Sequence, residues 1–179
     1  VQPVSSGATR YDSTTIAFHW AVFVLVAFQW IGAQTIDYFP RGPLRVDARS
    51  THIVFGIVLG ALLIARMVWR ATGGRRLPAA DSGPLQILAK ATHYALYLLI
   101  IAMVSVGIFL AWTRGDSLFN VFTIPAFGGG DHALAENVQD IHADIGWAIV
   151  ALVGLHAAAA LFHRYVWRDG VLGRMIPGM

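Results

Sequence analysis

"DIHADIGWAIVALVGLHAAAALFHRYVW", residues 140–167, is a greasy run that carries three histidines, His142, His156 and His163, at intervals of fourteen and seven. Crossing a bilayer as a helix takes about 20 mostly apolar residues, because the hydrocarbon core is about 30 Å thick. Residues 141–167 meet that length. Along a helix axis the first interval spans about 21 Å, and its steps of about 100° return to nearly the same face. One crossing therefore presents two imidazoles to one side, one toward each membrane surface. Ionisable groups inside a span are functional candidates by default.

Three more segments have the same character: residues 16–36, 51–69 and 91–112. The whole chain is 56% hydrophobic and only 13% charged, too apolar for an ordinary soluble domain. The expected fold is all-α, an integral membrane four-helix bundle, with residues 1–179 as one transmembrane domain. A barrel would instead show alternating segments of about 10 residues. The first connection holds Pro40 and Pro43 as helix breakers, and Gly128–Gly130 reads as a flexible tip in the last. The polar opening, residues 1–15, lacks the basic-then-apolar layout of a signal peptide.

The chain has no cysteine. That excludes disulfides, thiolate metal sites, iron–sulfur clusters and covalently attached haem. No basic stripe interleaved with aromatics points to nucleic acid. Arg66, Arg70, Arg75, Arg76 and Lys90 cluster around the middle connection, and Arg10, Arg164, Arg168 and Arg174 lie near the termini. The last connection has Arg114 against Asp116, Asp131, Glu136 and Asp140, while Arg41, Arg45 and Arg49 leave the first ambiguous. By the positive-inside rule both termini are expected in the cytoplasm.

Topology then pairs the histidines by depth. His52 opens the second span on the outer side, level with His142; His19 lies early in the first span on the inner side, level with His156. Facing imidazoles at two depths suit the iron of two six-coordinate b-type haems. Gly56, Gly60, Gly146 and the alanines after His156 would let a flat macrocycle approach the backbone, and Arg66 and Arg164 are placed to meet propionates. A structural or proton-relay role for these histidines is the competing reading. Zinc or copper is disfavoured, because the pairs lie too far apart for one centre and lack carboxylate or sulfur companions. His93 and His163 fall near the inner pair and suit either a quinone pocket or helix-interface packing. The six tryptophans read as interfacial belts.

The motifs "IAFHW", "STHIVFG", "ATHYALYLL", "IHADIG", "GLHAAAALFHRYVWRD" and "RMIP" cover nearly the whole chain and resemble the bacterial di-haem cytochrome b561 family of the inner membrane. The resemblance implies four helices and two b haems, with His19, His52, His142 and His156 as axial ligands to haem iron. His93 and His163 match positions bordering the quinone region. Within the family the chain is similar to members that pass electrons from superoxide to ubiquinone, which implies a superoxide:quinone oxidoreductase. Basic residues at the outer mouth differ between members, and here Arg41, Arg45, Arg49 and Arg114 are expected to form a funnel for the anion. Other members are cytochrome b subunits that link a dehydrogenase or other redox protein partner to the quinone pool. A non-redox membrane protein is the third alternative.

Overall fold

The computed structural model describes residues 9–176. The first eight residues of the polar opening, and Pro177 of the "RMIP" motif, lie outside that range.

Four long helices account for most of the chain: α1 Ser13–Thr35, α2 Pro43–Thr72, α3 Gly83–Arg114 and α4 His132–Phe162. Each is long and apolar enough to cross a membrane, with mean hydropathy between 1.8 and 2.4 over its best window. Their large apolar side chains face outward: Val24, Ile31, Ile64, Leu98 and Leu155 are all more than half exposed. An apolar surface of that extent would be costly in water and is what lipid requires of a bundle whose backbone bonds are satisfied within helices. Inside, Leu59, Leu63, Ile100 and Ile149 form a small buried core between α2, α3 and α4.

All four helices start before the expected spans, and α2 and α3 also run past them, because polar turns extend the apolar run, whereas α4 stops at Phe162, short of the expected 167. Pro43 does not break a helix; it sits in the first turn of α2, where its missing N–H costs nothing. Asp131 caps α4 by accepting the N–H groups of Ala133 and Leu134, so α4 starts nine residues before Ile141. Asp12 caps α1 in the same way through Thr15. Its carboxylate also accepts the Trp69 indole and the Arg75 N–H, which ties the start of α1 to the end of α2. Partial burial alone would raise the Asp12 carboxyl, but these hydrogen bonds, led by the Thr15 hydroxyl, hold it at about 2.

The bundle has two ends. The terminal end carries the start of α1, the α2–α3 connection and the close of α4. The loop end carries residues 36–42 and 115–131. At the loop end a small antiparallel hairpin pairs β1, Ser117–Leu118, with β2, Phe122–Thr123. Phe119 and Asn120 both take positive φ at its tip, as a hairpin turn of that hand requires. Fully buried Ser50 of α2 accepts the Phe119 N–H and donates toward Val46 and Ser117 carbonyls, so the hairpin is pinned to α2. Gly128–Gly130 form a defined turn with three consecutive positive φ angles.

Candidate functional site

The loop end holds a cavity of ≈ 400 Å³ between all four helices. His52 of α2 and His142 of α4 enter it, and their ring centres are 6.2 Å apart. At the terminal end His19 of α1 and His156 of α4 stand 6.3 Å apart. One metal ion between two imidazoles requires almost that spacing: two metal–nitrogen bonds of about 2 Å, plus about 1 Å from each nitrogen to its ring centre, give about 6 Å. The two pairs are held at different depths because His142 and His156 share one face of α4, while α1 and α2 run in opposite directions past it.

The cavity walls suit a flat, apolar group with an iron at its centre. Gly56, Gly107 and Gly146 line it together with Leu59, Ile100, Val104 and Ile149. A Cβ on Gly107 would come within 2.9 Å of the His142 ring, and one on Gly146 within 3.1 Å of Met103. Among the described residues, Nδ1 of His52, Nδ1 of His142 and Oε1 of Gln29 are buried without a hydrogen-bond partner. Orphaned buried polar atoms are uncommon in native proteins and call for a group or water to satisfy them. Neutral imidazoles, apolar walls and no thiol are the donor chemistry of a noncovalent b-type haem. Gln29 is a further residue of this site, since its amide N–H donates to the His52 carbonyl at 2.8 Å. Being polar within an apolar span, it was detectable in the sequence. Gly60 does not belong here, because its missing side chain makes room for Val104 of α3.

Charge at the mouth of this cavity is partly compensated. Arg49 donates to buried Asp116 at 2.9 Å. Arg45 turns away to the carbonyls of Asp37 and Phe39 and pairs with the Asp37 carboxylate. Arg114 bonds the neutral side-chain oxygen of Gln139, and Arg41 is exposed. Asp37, Arg49, Arg114 and Asp116 all line the cavity, but Asp37 is matched by Arg45 and Asp116 by Arg49, which leaves Arg114 without an acid of its own. The expected positive funnel is therefore half neutralised: Arg45 and Arg49 are matched by acids, while Arg41 and Arg114 have no ion pair among the described residues, and Asp116, 67 residues from Arg49 in the chain, had no local signal in the sequence.

The terminal-end cluster has three imidazoles. His93 of α3 lies 5.3 Å from His156, ring centre to ring centre, and its own side is exposed on the bundle surface. Arg66 of α2 is buried and donates to the Thr15 carbonyl at 3.2 Å. His163 has other partners: Nδ1 is 2.6 Å from an Asp169 oxygen and Nε2 is 3.8 Å from Asp81. It opens a π-helical turn, His163–Trp167, so the α-helical period that would have kept it beside His156 ends there. Arg164 is exposed in the same turn. Trp30 and Trp147 pack edge to face at 5.6 Å and line the loop-end cavity, besides lying toward that membrane surface.

A family model described as prokaryotic cytochrome b561 matches residues 10–178. Among curated proteins, the chain is 30% identical over 175 residues to "Cytochrome b561 homolog 1" of Escherichia coli K12, covering 94% of this chain and 97% of the relative. It is 29% identical over 170 residues to "Probable superoxide oxidase CybB" of Yersinia pestis, covering 94% and 96%. It is also 29% identical over 171 residues to "Cytochrome b562" of Cereibacter sphaeroides, covering 93% and 94%.

Proposed function

The chain belongs to the prokaryotic cytochrome b561 family of membrane electron-transfer haem proteins, and from that premise we propose that it carries two b haems and moves electrons from superoxide to ubiquinone across the inner membrane. His52 with His142, and His19 with His156, would hold the two haem irons. The observation that carries this reading is the pair of ring separations, 6.2 and 6.3 Å, at two depths of one bundle. Bound haem supplies one-electron redox chemistry. The net reaction takes one electron from each of two superoxide anions, releasing two dioxygen molecules, and gives two electrons and two protons to one quinone.

The chain's own residues do the rest. Gln29 fixes α1 against the His52 carbonyl, and the three cavity glycines keep the walls open beside the imidazoles. With both termini in the cytoplasm, the loop end faces the periplasm, where an anionic donor meets the Arg49, Arg114 and Asp116 mouth. His93, exposed toward lipid beside His156, borders the approach of a membrane-borne quinone. His163, beside Asp81 and Asp169, would then lie at the cytoplasmic surface, where quinone reduction draws its protons.

The test mixes purified protein with a superoxide source and ubiquinone. Superoxide-dependent quinol formation is expected. Haem reduction without quinol formation sinks the oxidoreductase reading.

One observation favours a second reading, an electron-transfer subunit fed by a redox protein. Phe119, Val121 and Phe122 of the adjacent hairpin are 46%, 89% and 58% exposed, an apolar patch beside the cavity. A stoichiometric redox partner retained in mild detergent, with no superoxide-driven activity in the isolated chain, would select it.

A further inference from the structure

We propose that the loop-end hairpin is a membrane-interface anchor: Phe119, Val121 and Phe122 bed among the lipid headgroups and upper acyl carbons of the leaflet around that end. The inference rests on the four membrane crossings alone and is independent of the two-haem reading.

Connections between helices are ordinarily polar, because they lie in water. Residues 117–127 depart from that. They hold no charged side chain, and six of the eleven are Leu, Ile, Val or Phe. The connections at 36–42 and 73–82 both carry charges.

The apolar tip is held outward by a built framework. Ser50 of α2 takes the Phe119 N–H at 2.8 Å and reaches the Ser117 carbonyl at 3.1 Å. The Asn120 amide donates to the Asp47 carboxylate at 3.1 Å. At the base, the Ile124 N–H donates to the Asp116 carbonyl at 3.0 Å. A Cβ on Gly115 would lie 3.0 Å from that of Ala126, so the returning strand is tight against the end of α3. Phe119 is kept at φ +52°, left-handed backbone that an aromatic residue rarely adopts. Glycine or asparagine would meet the same turn with less strain, yet the position presents a phenyl ring.

Depth decides what covers that ring. The apolar run of α2, residues 51–69, is about 28 Å long at about 1.5 Å per residue, which fills a hydrocarbon core of about 30 Å. Thr51 therefore marks the hydrocarbon edge at the loop end. The hairpin is fastened to Asp47 and Ser50, about 1.5 to 6 Å outside that edge. The headgroup zone on each side is about 5–8 Å thick. α2 continues outward to Pro43, so the hairpin lies beside the helix rather than above its end. Trp112 closes the apolar run of α3 and packs on Phe127 at 4.7 Å, both partly exposed. Aromatic side chains at this level form an interfacial belt, and the hairpin continues it. Its backbone stays outside the hydrocarbon, while its side chains bury apolar surface at the boundary. A patch bedded in lipid is closed to the redox protein of the second reading, so one experiment bears on both.

The chain has no cysteine, so single thiols can be placed at will. Val121→Cys and Arg41→Cys put one each at the same end of the bundle, Arg41 lying exposed in the connection before α2. Both proteins, in phospholipid nanodiscs, are labelled with a charged maleimide. A thiol in apolar surroundings holds its proton, so Val121→Cys should react about tenfold or more slowly than Arg41→Cys. The unmodified protein, in nanodiscs carrying a phospholipid with a diazirine just below its headgroup, should after illumination bear lipid adducts within residues 117–127. Equal labelling rates overturn the proposal. So does a 117–127 segment free of adducts when the lipid-facing helices carry them. Fast labelling that an added redox protein slows overturns it in favour of the second reading. If Val121→Cys does not fold, the adducts on the unmodified chain decide.

Discussion

Gly107 is the least forgiving position beside the loop-end histidines, and Gly107→Ala tests whether His142 must stand where it does. A methyl group there lies 2.9 Å from the nearest carbon of the His142 ring. Carbon atoms rest at about 3.5–4.0 Å, so the ring must give way by about 0.6 to 1.1 Å. Sites of this kind tolerate about 0.5 Å before geometry is lost. Overpacking costs about 1–3 kcal/mol, a weakening of binding by about 5 to 150-fold. Helix propensity runs the other way, since Ala is favoured over Gly by about 1 kcal/mol in a helix interior. A loss would therefore not be a backbone effect.

The assay is haem transfer from the variant to excess apomyoglobin, with haem per chain counted beforehand and the visible spectrum recorded. One haem should leave faster by roughly that factor while the other leaves at the parent rate. Gly60→Ala is the control. Its methyl would press on Val104 at 3.0 Å rather than on a histidine, so it should cost stability and spare both haems. A G107A protein that holds both haems at parent rates, with a parent spectrum, refutes the assignment of His142 as a ligand packed against α3.

His52→Ala or His142→Ala should each lose the loop-end haem and keep the other, with the converse for His19→Ala and His156→Ala; haem per chain by pyridine haemochromogen reads the result, and loss of both from any single variant counts against two independent sites. Asp12→Ala should destabilise the protein at neutral pH by about 1 kcal/mol, as for a lost helix cap, seen as a lower Tm. The Asp12 carboxyl is held down at about 2 in the fold, so its contribution is complete above the unfolded value of about 3.9 and disappears as pH falls toward 2. Parent and variant should converge there. Superoxide-driven quinol formation should fall as ionic strength rises, because Arg41 and Arg114 at the cavity mouth have no ion pair among the described residues; a flat profile would show that these cations do not steer the anion.

Residue pattern alone carried the four crossings, since long uncharged runs leave few alternatives in a bilayer, and the fourteen-residue interval was enough to put His142 and His156 on one side of α4. Helix ends were less legible. Searching for apolar runs passes over polar turns, although Pro43 in the first turn of α2 and Asp131 capping α4 are both recognisable start signals. Gly107 was out of reach for another reason. α3 is apolar nearly all round, so its sequence does not reveal which side meets α4, and only packing brings Gly107 against His142. The Arg49–Asp116 pair joins residues 67 apart, and no local pattern encodes it.

His163 shows how a spacing rule fails at the end of an element. Seven residues after His156 it should share that face, and this holds only while the backbone repeats every 3.6 residues. From His163 the chain turns with π geometry into Arg168, which takes positive φ, and the imidazole meets carboxylates instead of the histidine cluster. Slight burial would raise the Asp169 carboxyl, but the bonds from His163 and the Val171 N–H, with the Arg174 charge, hold it below the usual carboxylate range. The same segment is tied down by Tyr11 donating to the Arg174 carbonyl, Trp20 to that of Met175, and Arg174 to that of Pro78. His163, Asp169 and Asp81 thus join α4, the chain beyond it and the α2–α3 connection into one closure over the terminal end. A residue whose partners come from three separate segments is placed by tertiary structure, and a ruler laid along one helix has no means of finding it.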